Sequence, residues 1–190
     1  MKYYIKLGSI LLFTCALAAG ILAYINGLTA PMIAKVKKAE AEKARLEVMV
    51  DDNHTAENMI FTPHFLDVDI KGDSIFYYIA SAKKTNQKVG YVLTATKSGY
   101  SGNVKTVVGL TADFKIKKIK VIDQTETPGL GAKCVNPDFA PKFDNLTIEK
   151  LKVDKDGGEI KSITGATITT RTITNSIKES LQKLLVKESK

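Results

Sequence analysis

Two short segments, about 35 residues apart, carry the residue types that can do chemistry in this chain. The second, Thr164-Gly165-Ala166-Thr167, sets two hydroxyls and two small residues at the opening of a helical pattern. Gly165 and Ala166 leave backbone N–H groups open to close approach, and the amides and dipole of a helix start both favour an anion. A phosphate beside Thr167 suits that arrangement, and Arg171 stands one turn further on to add charge. Thr164 or Ser162 can cap the helix with a side-chain oxygen, so the same residues also fit an ordinary capped helix start. The first segment is Glu126-Thr127-Pro128-Gly129-Leu130-Gly131. Pro128 fixes φ and the two glycines permit turns that other residues resist. It reads as a tight loop at a strand end, a place where function collects more often than in strands, although a plain turn would use the same residues.

These segments need elements to hold them. Ile168, Ile173, Ile177, Leu181, Leu184 and Leu185 fall mostly three or four apart, which predicts a helix with one apolar stripe after Thr167. Ile116 to Ile122 alternates apolar and lysine, a strand with one wet face leading into the first segment. Earlier strands are expected at Ser74–Lys83, Gly90–Thr96 and Lys105–Thr111, with Asp113-Phe114-Lys115 as a turn. Residues near Pro63 read as loop, Pro137–Leu151 as a short helix then loop, and Lys155–Gly158 as a turn. The expected fold is α+β: helices at both ends around a largely antiparallel sheet.

Leu7 to Ile25 is nineteen residues without a charge. As a helix it spans about 28 Å, near the hydrocarbon thickness of a bilayer. Tyr3, Tyr4 and Tyr24 flank it as aromatic belts do. Ala16-Leu17-Ala18 can be read as a signal-peptide cleavage site, but the apolar run continues to Ile25, which favours a retained anchor. Lys2 and Lys6 sit close before the span, while Lys35, Lys37 and Lys38 lie about ten residues after it, which tilts the N-terminus inward. Thr29 or Asn26 is expected to start a second helix with Pro31 in its first turn, a stalk rich in Ala, Lys and Glu that stops at Asp51-Asp52-Asn53. The expected divisions are residues 1–28 for the stub and transmembrane helix, 29–52 for the stalk, and 53–190 for the domain.

Composition excludes several classes. The net charge of +8 could draw nucleic acid or an anionic membrane. No aromatic-basic interleaving, helix-turn-helix or zinc spacing accompanies it, so solvated lysine faces near a membrane are the simpler reading and no nucleic-acid partner is expected. His54 and His64 are not spaced as metal ligands, and Asp51, Asp52, Asp67 and Asp69 read as a helix stop and loop solvation. There is no P-loop, dinucleotide glycine fingerprint or nucleophile elbow. Cys15 lies in the apolar run and cannot easily pair with Cys134, which is either a redox-sensitive thiol or a small apolar filler.

The two segments together resemble the flavin-binding domain found in the G subunit of the Rnf electron-transport complex and in the C subunit of the sodium-pumping NADH:quinone reductase. Gly99-Tyr100-Ser101-Gly102 followed by Val107-Val108-Gly109-Leu110 looks like that family's strand-turn-strand segment, and the short chain favours the Rnf protein. The resemblance implies FMN joined to Thr167 by a phosphoester, with Thr164, Gly165 and Ala166 beside it. It implies an isoalloxazine held by the loop that includes Glu126, Thr127, Gly129, Leu130 and Gly131. It implies no catalytic residue or metal of its own, a Mg²⁺-dependent flavin transferase for maturation, and other complex subunits as partners. The implied role is a one-electron carrier between ferredoxin and NAD⁺ in an ion-translocating complex, single-pass in the cytoplasmic membrane with its domain on the periplasmic or external side. Family members often carry an acidic residue six positions before the modified Thr, where this chain has Lys161. The alternatives are the C subunit of the quinone reductase, or a tethered anion-binding module without redox activity.

Overall fold

The computed structural model describes residues 1–50, 55, 58–68 and 74–189. The expected helix stop at Asp51-Asp52-Asn53, together with His54 and Asp69, lies outside the described residues. Met1–Glu40 and Ala41–Lys190 are separate compact units.

The first unit is helical. It belongs to α1, which runs Lys2–Met49 without a break. No second helix starts at Asn26 or Thr29, and Pro31 lies inside α1. Pro31 removes one bond to the turn before it, but the apolar run on one side and the Ala- and Lys-rich run on the other both favour helix. α1 is long and apolar enough to cross a membrane, and its apolar stretch is exposed on every side. Lipid rather than protein would satisfy such a surface, which points to a membrane anchor. The hydroxyls within and beside the stretch are satisfied locally: Ser9 donates to the Ile5 carbonyl at 2.7 Å, Thr14 to Leu11 at 2.9 Å and Thr29 to Ile25 at 3.0 Å.

The second unit is built on a five-stranded antiparallel meander in the order β1-β2-β3-β4-β5. The strands are β1 Met59–Val68, β2 Ser74–Ala82, β3 Lys88–Ser98, β4 Asn103–Thr111 and β5 Ile116–Asp123. Pro63, expected in a loop, pairs with Tyr78 inside β1. β1 is an edge strand, where a missing N–H can be tolerated. The second helix, α2, covers Thr167–Glu188. Its fully buried Ile173, Ile177, Leu181 and Leu184 pack with Tyr91, Leu93, Val108 and Leu110 of the sheet. Burying each of those aliphatic side chains is worth about 1.5–3 kcal/mol. Ile168, expected in the same stripe, is instead about half exposed.

The other sheet face is covered by the last turns of α1. Ala44, Val48 and Met49 pack against Ala80, Val92 and Val107. Gly109 lets the helix come this close, because a Cβ there would collide with the Val48 carbonyl. A sheet covered on both faces is stiff, and its β5 end delivers the chain into the Glu126 loop. Residues 131–156 form short 3₁₀ turns, at Gly131–Val135, Ala140–Phe143, Ile148–Lys150 and Asp154–Asp156, in place of the expected short helix and loop.

Among the described residues, Thr106 Oγ1 on β4 is buried without a hydrogen-bond partner. An unsatisfied buried hydroxyl costs about 1–3 kcal/mol, and Val has nearly the same shape. Thr106→Val is therefore expected to raise the denaturant midpoint, by about 1 kcal/mol in stability, with an unchanged m-value. A lower midpoint would show that the hydroxyl is needed.

Candidate functional site

The two segments meet in space. A groove of about 430 Å³ is lined by Tyr100, Glu126, Thr127, Leu130, Gly131, Gly165, Ala166, Thr167, Ile168 and Thr169. One wall is the loop after β5, and the facing wall is the turn into α2. Leu130 Cδ2 lies 3.0 Å from where a Cβ on Gly165 would stand, so a larger residue at 165 would press on it. Gly165 also has φ +78°, a left-handed conformation that glycine adopts without strain. The Glu126 loop is closed by turn bonds from Leu130 N and Ala132 N to the Thr127 carbonyl, at 3.1 and 3.2 Å.

The start of α2 differs from the expected capped helix. Its N-cap is Ala166, and no side chain caps it. The first amides of a helix have no intrahelical acceptor, so this end can receive an anion. Thr167, the first residue of α2, is half-buried in the groove wall. Ser162 cannot cap because Asp154 holds it: the Ser162 N–H and Oγ both donate to Asp154 Oδ1, at 3.1 and 2.5 Å. Those donors hold the Asp154 carboxyl below its ordinary range, the Ser162 hydroxyl first among them. Arg171 is also committed elsewhere. Its Nε and an Nη donate to the two oxygens of Asp156 at 2.7 and 2.6 Å, a bidentate pair that lowers the Asp156 pKa. The guanidinium therefore braces the 154–156 turn against α2 rather than adding charge to the groove.

Glu126 is the central polar group. It is buried, and its Oε1 accepts from the N–H groups of Tyr100 and Ser101, at 2.9 and 3.1 Å. Its Oε2 accepts from the Thr169 hydroxyl at 2.5 Å. One carboxylate thus joins the β3–β4 turn, the loop after β5 and the first turn of α2. The Thr127 and Ser101 hydroxyls sit 3.3 Å apart at the rim.

Seven of the site residues expected from sequence line this groove: Glu126, Thr127, Leu130, Gly131, Gly165, Ala166 and Thr167. Gly129 and Thr164 do not line it; both are exposed in turns beside it. Tyr100, Ile168 and Thr169 also line it. The spacing of Ile168 fits the core stripe and hides its place in the groove, and no local pattern links Thr169 to Glu126. Cys134 is buried, and its thiol is pushed up to about 11, first by burial and then by the negative charge of Glu126. It is a small core filler, since reactivity needs accessible thiolate. A second groove, about 490 Å³, runs along β5 past Lys118, Asn136 and Asp144 and holds none of the segment residues. Its Lys120 is paired with Glu47.

Fold and groove together define a domain of the FMN-binding class: residues 99–182 match the family model of the FMN-binding domain. The chain is 32% identical over 203 residues to the G subunit of the ion-translocating oxidoreductase complex of Shewanella piezotolerans, covering 97% of this chain and 94% of the relative. It is 33% identical over 191 residues to the G subunit of the Na⁺-translocating ferredoxin:NAD⁺ oxidoreductase complex of Acetobacterium woodii, covering 95% and 91%. Among solved structures, the C subunit of the Na⁺-translocating NADH-quinone reductase from Parabacteroides distasonis shares the fold, with TM-score 0.54 and 19% identity over 80% of this chain and 94% of that one. The chain belongs to the family of G subunits of ion-translocating oxidoreductase complexes.

Gly131 is closely confined by the groove's polar groups. A Cβ there would come within 2.6 Å of Thr169 Oγ1 and 2.7 Å of Glu126 Oε2. Gly131→Ala is expected to destabilise the domain by about 1–3 kcal/mol, the usual cost of overpacking. Denaturant unfolding checks this, and an unchanged midpoint would show that the loop can shift freely.

Proposed function

We propose that this chain is the membrane-anchored electron-relay subunit of an ion-translocating ferredoxin:NAD⁺ oxidoreductase complex, carrying FMN covalently on Thr167. The observation that carries the reading is Thr167, half-buried at an uncapped helix start in the wall of the groove shared with Leu130. The residues present fit the group. Open amides at the start of α2 suit a phosphate, and Leu130, Ile168 and Tyr100 offer partly exposed apolar surface for a flat ring. FMN, when bound, supplies the capacity to take up and release electrons.

The protein's own groups do the rest. Thr167 Oγ would lose its proton and bond to the FMN-side phosphorus of FAD as AMP leaves, with a separate flavin transferase bringing the two together. The first amides of α2 hold the phosphate oxygens, with Thr164, Gly165 and Ala166 supplying a turn small enough for close approach. Leu130 packs on the ring, while Glu126, Thr127, Gly129 and Gly131 shape the loop that presents it. The chain makes and breaks no substrate bond; its partners are the other subunits of the complex. An exported domain cannot draw on cytoplasmic flavin, so a tether that prevents dissociation is useful. The C subunit of a quinone reductase is the second reading. It rests on fold likeness alone, whereas identities of 32–33% over nearly the whole chain favour the G subunit.

Co-expression with a flavin transferase should add one FMN to the intact mass of denatured protein. Thr167→Ala is expected to abolish that mass and the ultraviolet fluorescence of the band in a denaturing gel. Flavin persisting on Thr167→Ala would move the attachment site. Wild-type protein without the mass would favour an anion-binding module.

The domain is proposed to face the periplasm or cell exterior. Cys15 lies in the span and Cys134 is buried, so one new cysteine at exposed Lys155 reports topology. Lys155→Cys is expected to react with a membrane-impermeant maleimide in intact cells. Reaction only after lysis would reverse the orientation.

A further inference from the structure

We propose that Glu126 is the positioning residue of the groove, and that its fixed negative charge holds down the reduction potential of the flavin bound there. The proposal rests on the flavin reading of the groove. Glu126 lines the groove, yet its oxygens are engaged by protein donors: two backbone amides on Oε1 and the Thr169 hydroxyl on Oε2. It therefore acts on a ligand through the walls it fixes and through its charge.

Three observations support this. The neighbouring chain is shaped to receive the acid, since a Cβ on Gly99 or Gly131 would run into its carboxyl group. Among the described residues, no cation forms an ion pair with it, and Arg171 is held by Asp156. The Cys134 thiol is pushed up first by burial and then by the Glu126 charge. The hydrogen bonds to Glu126 disperse its charge without cancelling it. Reduction adds negative charge to a flavin, and a like charge in a low-dielectric wall opposes that addition.

The test uses the full-length chain, flavin-loaded and flavin-free, with three variants. Glu126→Gln keeps an acceptor for the Tyr100 and Ser101 amides and turns an NH₂ toward the Thr169 oxygen, so it removes charge with little change of shape. In the fraction that takes up covalent flavin it is expected to show a more positive reduction potential. A potential equal to or below the wild-type value in loaded Glu126→Gln would overturn the charge role. Glu126→Ala removes both acceptors. In the flavin-free protein, amide hydrogen exchange of the segment 99–102 is expected to speed up by about tenfold, the scale of one lost hydrogen bond. Unchanged exchange in folded Glu126→Ala would overturn the positioning role. Should that variant fail to fold, Glu126→Asp, which keeps the charge but withdraws it by one methylene, reads the same exchange. Wild-type protein that takes no covalent flavin would sink the flavin reading alone, since the exchange arm still decides what Glu126 positions.

Discussion

A buried carboxylate must have donors, and the groove is organised around meeting that need. Glu126 is the one buried charged side chain among the described residues. Leaving its oxygens unpaired would cost several kcal/mol. The chain meets the demand from two places, the Tyr100 and Ser101 amides and the Thr169 hydroxyl, while glycines at 99 and 131 leave room for the acid. Each of those places is thereby fixed relative to the other. The walls of the groove stand where they do because the acid on one wall takes a donor from the other and two from the β3–β4 turn.

The start of α2 makes the complementary choice. Most helices satisfy their first amides with a Ser, Thr, Asp or Asn cap. Here three of the nearby hydroxyls are spent otherwise. Ser162 is held by Asp154, Thr169 by Glu126, and Thr170 donates back to the Ala166 carbonyl at 3.2 Å. The helix end therefore keeps its binding capacity for a group from outside the chain. The further threonines of α2 are buried yet satisfied, with Thr172 donating to the Ser98 carbonyl at 3.3 Å and Thr174 to that of Thr170 at 2.9 Å. A threonine-rich helix can then pack against the sheet without leaving its hydroxyls unpaired.

The sheet supplies the rigidity this requires. α2 covers one face and the last turns of α1 the other. At the far end of α2, Glu188 accepts from Tyr77 Oη at 2.8 Å and also bonds Tyr91. Packing in the middle and hydrogen bonds at both ends hold α2 in register.

The local pattern of residues is enough for much of this. Nineteen uncharged residues from Leu7 to Ile25 specify a span-length apolar helix, β-rich runs specify β2 to β4 and alternation β5, and the spacing from Ile173 to Leu184 specifies the buried stripe of α2. The two segments are recognisable as a pair. Other features are not legible. β1 is hidden because Pro63 argues against a strand until its edge position is known. The break expected before Pro31 does not occur, because favourable runs on both sides carry the helix through. Ser162 and Arg171 look free for the site, and only the folded 154–156 turn brings Asp154 and Asp156 onto them. The joining role of Glu126 links residues 26 and 43 positions apart. Local residue pattern thus selects which elements form and most of the residues that line the groove. Which polar groups the protein consumes and which stay open is settled only by folding, because that depends on sheet register and helix packing, which bring distant donors to one buried acid.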